Sequence, residues 1–184
     1  RPYTGPTKVV IAFDIGTTNS AISYCILEQG RLPRIHRVNR FPGQKHGHGD
    51  ARVPSVLYYD NIGNVRAIGR SALTDENVIE TAEEDGWMMV EWWKLHLHPK
   101  HLSYTHIKRG DIPPLPLGKS VGDILTDFIR YLFRCTHTYI NENHVGFNWQ
   151  SVKDSTEFVL THPNGWDVEQ QQSYRRAAER AGIV

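Results

Sequence analysis

Asp14, Gly16, Thr17, Thr18 and Asn19 lie together in residues 9–23, VVIAFDIGTTNSAIS. An apolar run stops at an acid, turns through a glycine and hydroxyls, and then resumes. A glycine there lets the backbone turn tightly and lets a ligand approach it closely. Successive amides in such a turn can converge as an anion nest, to which Thr17, Thr18 and Asn19 would add side-chain donors. A carboxylate at Asp14 would repel a bound phosphate unless a cation lay between them, which suits Mg²⁺ held largely through water. The residue types therefore point to phosphate chemistry. A plain hairpin turn, with Asp and Thr satisfying backbone groups, would draw on the same residues.

Two strands must hold this turn, and the pattern supplies them over 8–13 and 21–27. Residues 34–39 alternate apolar and charged as a half-exposed third strand does, completing a meander. Residues 41–50 form a Gly- and His-rich loop. Strands follow over 55–60 and 65–68, then a helix over 69–84 with Ser71 or Thr74 as its cap. Residues 87–97 are apolar and aromatic without a decisive period, and the prolines of 98–116 mark a loop. The clearest helix runs from 120 to about 139. Val121, Ile124, Leu125, Phe128, Ile129, Leu132 and Phe133 make its buried stripe, and Ser120 with Asp123 makes a capping box. A strand over 157–161 and a helix over 167–181 end the pattern, with Asp167 as N-cap, Gln170 at the box position and Gly182 as stop. The class is α/β.

Four segments in order carry a family resemblance from about Lys8 to Val184. FDIGTTNS resembles the first phosphate loop of the actin-like ATPase superfamily, which includes actin, sugar kinases and the seventy-kilodalton heat-shock (Hsp70) chaperones. Val53-Pro54-Ser55-Val56, followed by Ile68-Gly69-Arg70-Ser71-Ala72, is similar to a segment of the chaperone branch. Trp92-Trp93-Lys94-Leu95 resembles the segment that supplies the chaperones' active-site lysine. Residues 158–184 look like the strand, proline turn and helix that follow. The aromatic WWKLHL variant looks most like the divergent fungal and animal members.

The resemblance implies a ribonuclease-H-like, actin-like ATPase fold, of which the chain would be the first lobe. A core subdomain would span about 8–52 and 117–184, with a smaller one over about 53–116. It implies ATP or ADP with Mg²⁺ as ligand, hydrolysis by an activated water, and protein clients or cochaperones as partners. Asp14 would position the Mg²⁺ hydration shell. Gly16, Thr17, Thr18 and Asn19 would hold phosphates, and Lys94 would stabilise charge on the γ-phosphate or the attacking water. Pro163 matches the proline of the family's relay between lobes. The relay arginine falls at Gln171, however, and His162 and Gly165 replace the usual neighbours of the proline. No D-G-G-G string or adenosine-pocket segment occurs in these 184 residues. A lobe without them is expected to lose several hydrogen bonds to charged groups, each worth ~1.5–3 kcal/mol, and to be inactive alone. A non-catalytic interaction module is the second reading, and a sugar-kinase lobe the third, which the VPSV and WWK segments argue against.

Bulk properties narrow the partners. Formal net charge is +1, from 21 Lys+Arg against 20 Asp+Glu, so charge offers no footprint for nucleic acid or an anionic membrane. No apolar run reaches the ~20 residues of a membrane span. RPYTGPTK lacks an apolar signal core, and Cys25 and Cys135 suggest free thiols rather than a disulfide framework. Together these point to the cytoplasm, or the nucleus. Leu117-Gly118-Lys119-Ser120 fails as a phosphate loop because Pro113 takes the place of its first glycine. His46 and His48, and His96, His98, His101 and His106, lack cysteine neighbours and read as loop histidines rather than zinc ligands. Trp87, Trp92 and Trp93 are expected in packing, and Cys25 as a small buried residue.

Overall fold

A computed structural model describes residues 1–44, 50–99 and 109–183. The 41–50 loop and the 98–116 loop therefore fall partly outside the described residues, as do His46, His48, His101 and His106.

The meander forms as the alternation requires. β1 (Lys8–Asp14) pairs antiparallel with β2 (Asn19–Leu27), with Asp14 opposite Ala21. β2 also pairs with β3 (His36–Arg37) and with β4 (Arg52–Pro54). β8 (Glu157–Leu160) runs parallel to β1, so it ends the strand order β3-β2-β1-β8 with a single hydrogen-bonded neighbour among the described residues. A second sheet has the order β6-β5-β7, from β6 (Val65–Ile68), β5 (Leu57–Tyr59) and β7 (Met88–Val90).

Period two decides which face is buried. Val9, Ile11, Phe13, Ile22 and Tyr24 point into the core, and Ala12, Asp14, Ala21 and Ser23 take the other face. The core face meets α3 (Val121–Asn143), whose Ile124, Leu125, Phe128, Ile129 and Leu132 are fully buried. Each such side chain contributes about 1.5–3 kcal/mol of transfer free energy. α3 starts where expected: the Asp123 amide donates to Ser120 Oγ and the Ser120 amide to Asp123 Oδ2. The Ser120 hydroxyl also donates to Asp123 Oδ2 at 2.6 Å, and Arg180 of α4 (Val168–Ala181) meets the same carboxylate. The Ser120 hydroxyl first, then Arg180, hold the Asp123 carboxyl down at about 2.

Several local expectations change. The third strand is shorter than expected, His36–Arg37, with the Val38 amide also donating to the Ile22 carbonyl, while Ile35 before it turns outward, 80% exposed. The 69–84 helix is two, α1 (Ser71–Thr74) and α2 (Glu76–Glu84). Asp75 breaks it with an extended backbone and caps α2 by accepting the Asn77 amide. Ser71 and Thr74 cap nothing; their hydroxyls donate back to the carbonyls of Ile68 and Arg70. The box at α4 does not form, since Asp167 makes no side-chain cap bond and Gln170 Oε1 is buried without a partner among the described residues. Gly182 does end α4, in the left-handed region at φ 76°. Cys25 is half-buried rather than buried, and both cysteines are free thiols. Burial pushes the Cys135 thiol up to about 11.

Candidate functional site

The turn from β1 to β2 is built around a backbone contact that forbids a side chain. A Cβ at Gly16 would lie 2.1 Å from the Asn19 carbonyl oxygen. The turn is then pinned from below by hydroxyls. The Gly16 amide donates to Ser20 Oγ at 3.2 Å, Ser55 Oγ donates to the Gly16 carbonyl at 2.9 Å, and the two hydroxyl oxygens are 2.8 Å apart. Since Ser55 spends its proton on Gly16, Ser20 is the donor between the hydroxyls. The Ser55 amide donates to the Thr18 carbonyl, and Trp93 Nε1 donates to the Ser55 carbonyl. Ser20 and Ser55 are buried, so this network is expensive to break.

The nest reading needs one adjustment. The Gly16 amide is turned inward to Ser20. The Thr17 and Thr18 amides, and the side chains of Thr17, Thr18 and Asn19, donate to no described residue. Thr18 and Asn19 are exposed. The open donors of the turn thus begin at Thr17.

Lys94 reaches this turn from eighty residues away. Trp92 adopts a left-handed backbone, φ 54°, where a side chain is strained. It starts the 3-10 helix Trp93–Leu97, which sends Trp93 into the core against Phe128 and Lys94 toward β1. Trp93 meets the packing expectation, but Trp92 is 39% exposed and Trp87 lies half-buried under Arg66. Lys94 Nζ donates to the Ile15 carbonyl, adjoining Asp14, and lies 5.4 Å from the Trp166 ring centroid and 5.9 Å from that of Tyr174. Burial lowers the Lys94 pKa, and the Asp14 charge works against that shift. Asp14 itself is exposed and accepts the Thr161 hydroxyl at 2.9 Å.

Asp14, Lys94, Thr161, His162 and Pro163 share a cavity of about 930 Å³. Of the sequence-predicted residues, the structure brings Asp14 and Lys94 together on this cavity and sets Gly16, Thr17, Thr18 and Asn19 in the adjoining turn. The donor set fits a magnesium-bound phosphate: an open carboxylate for hydrated metal, a partly desolvated ammonium, and unused amides and hydroxyls beside them. Burial of Lys94 itself favours an anion, because a negative group restores the solvation the ammonium has lost.

Beyond Pro163, Gln171 Nε2 donates to the Trp166 carbonyl at 3.1 Å, and His162 stacks on Trp166. Gln171 thus closes the turn before α4 with a neutral bond. Trp166 Nε1 and the Tyr174 hydroxyl are buried without partners among the described residues.

Sequence reasoning missed Thr161, Arg37 and Arg52, which also line the cavity. Register alone could have found them: Ser23 opposes Arg37 and Ala21 opposes Arg52 on the face that carries Asp14. Among the described residues, no group of three or more His, Cys, Asp or Glu is placed to hold a metal directly, and no helix is long and apolar enough to cross a membrane. His96 Nε2 donates to the Pro113 carbonyl and His98 Nδ1 to that of Pro99.

No protein-family model matches the chain. Heat shock 70 kDa protein 12A of Mus musculus is similar to it at 22% identity over 183 residues, covering 96% of this chain and 25% of that protein. The chain spans about a quarter of the length of the curated relative it matches. The mixed sheet with its flanking helices is compatible with an actin-like fold, and the similarity supports a distant relationship to the Hsp70 proteins.

Proposed function

We propose that the chain is the first lobe of an Hsp70-like, actin-fold nucleotide-binding domain, taking ATP or ADP with Mg²⁺. The observation that carries this reading is the meeting of Lys94 with the Ile15 carbonyl beside Asp14. Two residue types needed for phosphate chemistry converge there from separate elements. Magnesium would supply charge neutralisation of the phosphates and order the water around them. Asp14 holds the hydrated metal, Lys94 binds anionic oxygen, and the Thr17 and Thr18 amides with the Thr17, Thr18 and Asn19 side chains bind the phosphates. The division into subdomains over about 8–52 with 117–184 and over about 53–116 belongs to the same proposal, as do ATP hydrolysis in a two-lobed protein, protein clients and a cytoplasmic or nuclear location.

Calorimetric titration with Mg-ATP tests it. The wild-type chain is expected to bind saturably, with Asp14→Asn and Lys94→Met each weakening binding about tenfold or more, as loss of a charge-assisted contact does. Absence of heat up to millimolar nucleotide, with the chain folded, would remove the reading for this chain. One observation favours a non-catalytic interaction module instead: Gln171 makes a neutral bond within its own turn. A two-lobed form that binds nucleotide without turnover would support that second reading.

A further inference from the structure

The outer face of the large sheet carries two arginines, Arg37 and Arg52, that no described residue neutralises. Cross-strand register sets Arg37, Ser23 and Ala12 in one row, and Arg52, Ala21 and Asp14 in the next. All six line the cavity that also holds Lys94. Ala12, Ala21 and Ser23 give it a floor of small side chains. The Arg37 and Arg52 guanidiniums form no hydrogen bond or ion pair with any described residue. Asp50, which also lines the cavity, is engaged by Arg70 at 2.9 Å and by the Arg52 amide. Among the described residues the cavity is therefore bordered by three cations, Arg37, Arg52 and Lys94, while Asp14, which accepts the Thr161 hydroxyl, is a lining carboxylate that forms no ion pair.

We infer that Arg37 and Arg52 form a second anion-binding edge of this cavity, selecting a chain of linked phosphates over a single phosphate. The inference rests on the nucleotide reading of the Asp14 side. Lys94 and the Thr17 and Thr18 amides lie at the β1 end, and the arginines lie across β2, on β3 and β4. Two inter-strand steps of about 4.8 Å separate β1 from β3. A lone phosphate cannot meet both edges, whereas a triphosphate laid over the small floor can. Arginine also suits the role, because its planar fork takes two oxygens of one phosphate. The cavity volume of about 930 Å³ lies within the range of small-molecule sites.

The test titrates the full chain with Mg-ATP, inorganic tripolyphosphate and orthophosphate. The proteins are wild type, the double variant Arg37→Gln/Arg52→Gln, and Asp14→Asn. Both arginines are exposed, so the double variant is expected to keep its thermal midpoint. Tripolyphosphate is expected to bind the wild type at least tenfold more tightly than orthophosphate. The double variant is expected to lose that preference and to bind Mg-ATP at least tenfold more weakly. If Mg-ATP binding falls in Asp14→Asn but is unchanged in the double variant, the arginine edge is overturned and the nucleotide reading stands. If the double variant loses tripolyphosphate binding while Mg-ATP binds no better than tripolyphosphate and is indifferent to Asp14→Asn, the arginine edge stands and the nucleotide reading falls. If the wild type binds none of the three, both are overturned.

Discussion

At the scale of single residues, the turn between β1 and β2 depends on what is missing from Gly16. A methyl group there would sit 2.1 Å from the Asn19 carbonyl oxygen, a backbone atom that cannot swing away. Gly16→Ala is expected to cost about 1–3 kcal/mol, read as a lower urea midpoint, since overpacking forces the backbone to shift. Ser55→Ala is expected to cost about 1–3 kcal/mol as well, because the Gly16 carbonyl and the Ser20 hydroxyl lose a buried partner. Asp14, Gly16 and the hydroxyls could be picked out from type and spacing, because a turn concentrates its chemistry within a few positions. The inward use of the Gly16 amide could not, because it depends on Ser55, which folds back from another strand. Arg37 and Arg52 escaped for the same reason: facing one cavity is a property of register, and no local signal encodes it.

At the scale of elements, periodicity read the strongly amphipathic pieces well. The α3 stripe and its Ser120–Asp123 box are local and redundant, so sequence and structure agree there. The segment 69–84 failed because two short helices and one long one share the same composition. Only the extended backbone at Asp75 separates them. Asp75→Ala should therefore destabilise α2 by about 1 kcal/mol, the usual worth of an N-cap. Hydrogen exchange would locate the effect in α2 and leave α3 protected. The aromatic segment resisted assignment because it is part strand and part 3-10 helix, joined at Trp92 by a backbone conformation that aromatic residues seldom adopt. That joint sets the direction of Lys94.

At the scale of the molecule, one cluster ties the far end of the sheet to the end of α3. His36 stacks on Tyr24, and His144, the residue that closes α3, lies edge-on to both rings. The Tyr24 hydroxyl and His144 Nε2 are 2.8 Å apart. Burial pushes Tyr24 up to about 12, so the phenol keeps its proton beside the His144 ring. Burial first, and then the neighbouring His36, lowers the His144 pKa, with Glu28 opposing. A folded value below the ordinary 6.5 means the unfolded chain takes the proton first. The stabilisation is full above about 6.5 and is lost as the pH falls from there through the folded value. Thermal midpoints should drop between pH 7.5 and 5.5, and His144→Gln should flatten that slope.

The packing of Lys94 over Trp166 has an optical consequence. An ammonium held above an indole perturbs its excited state, and an anion that draws the ammonium away changes that perturbation. Trp166 would then act as a built-in fluorescent gauge of the cavity, sensing a bound phosphate chain without any label. Replacing Trp87, Trp92 and Trp149 by phenylalanine would leave Trp93 as a steady internal standard in the core and Trp166 as the emitter that responds.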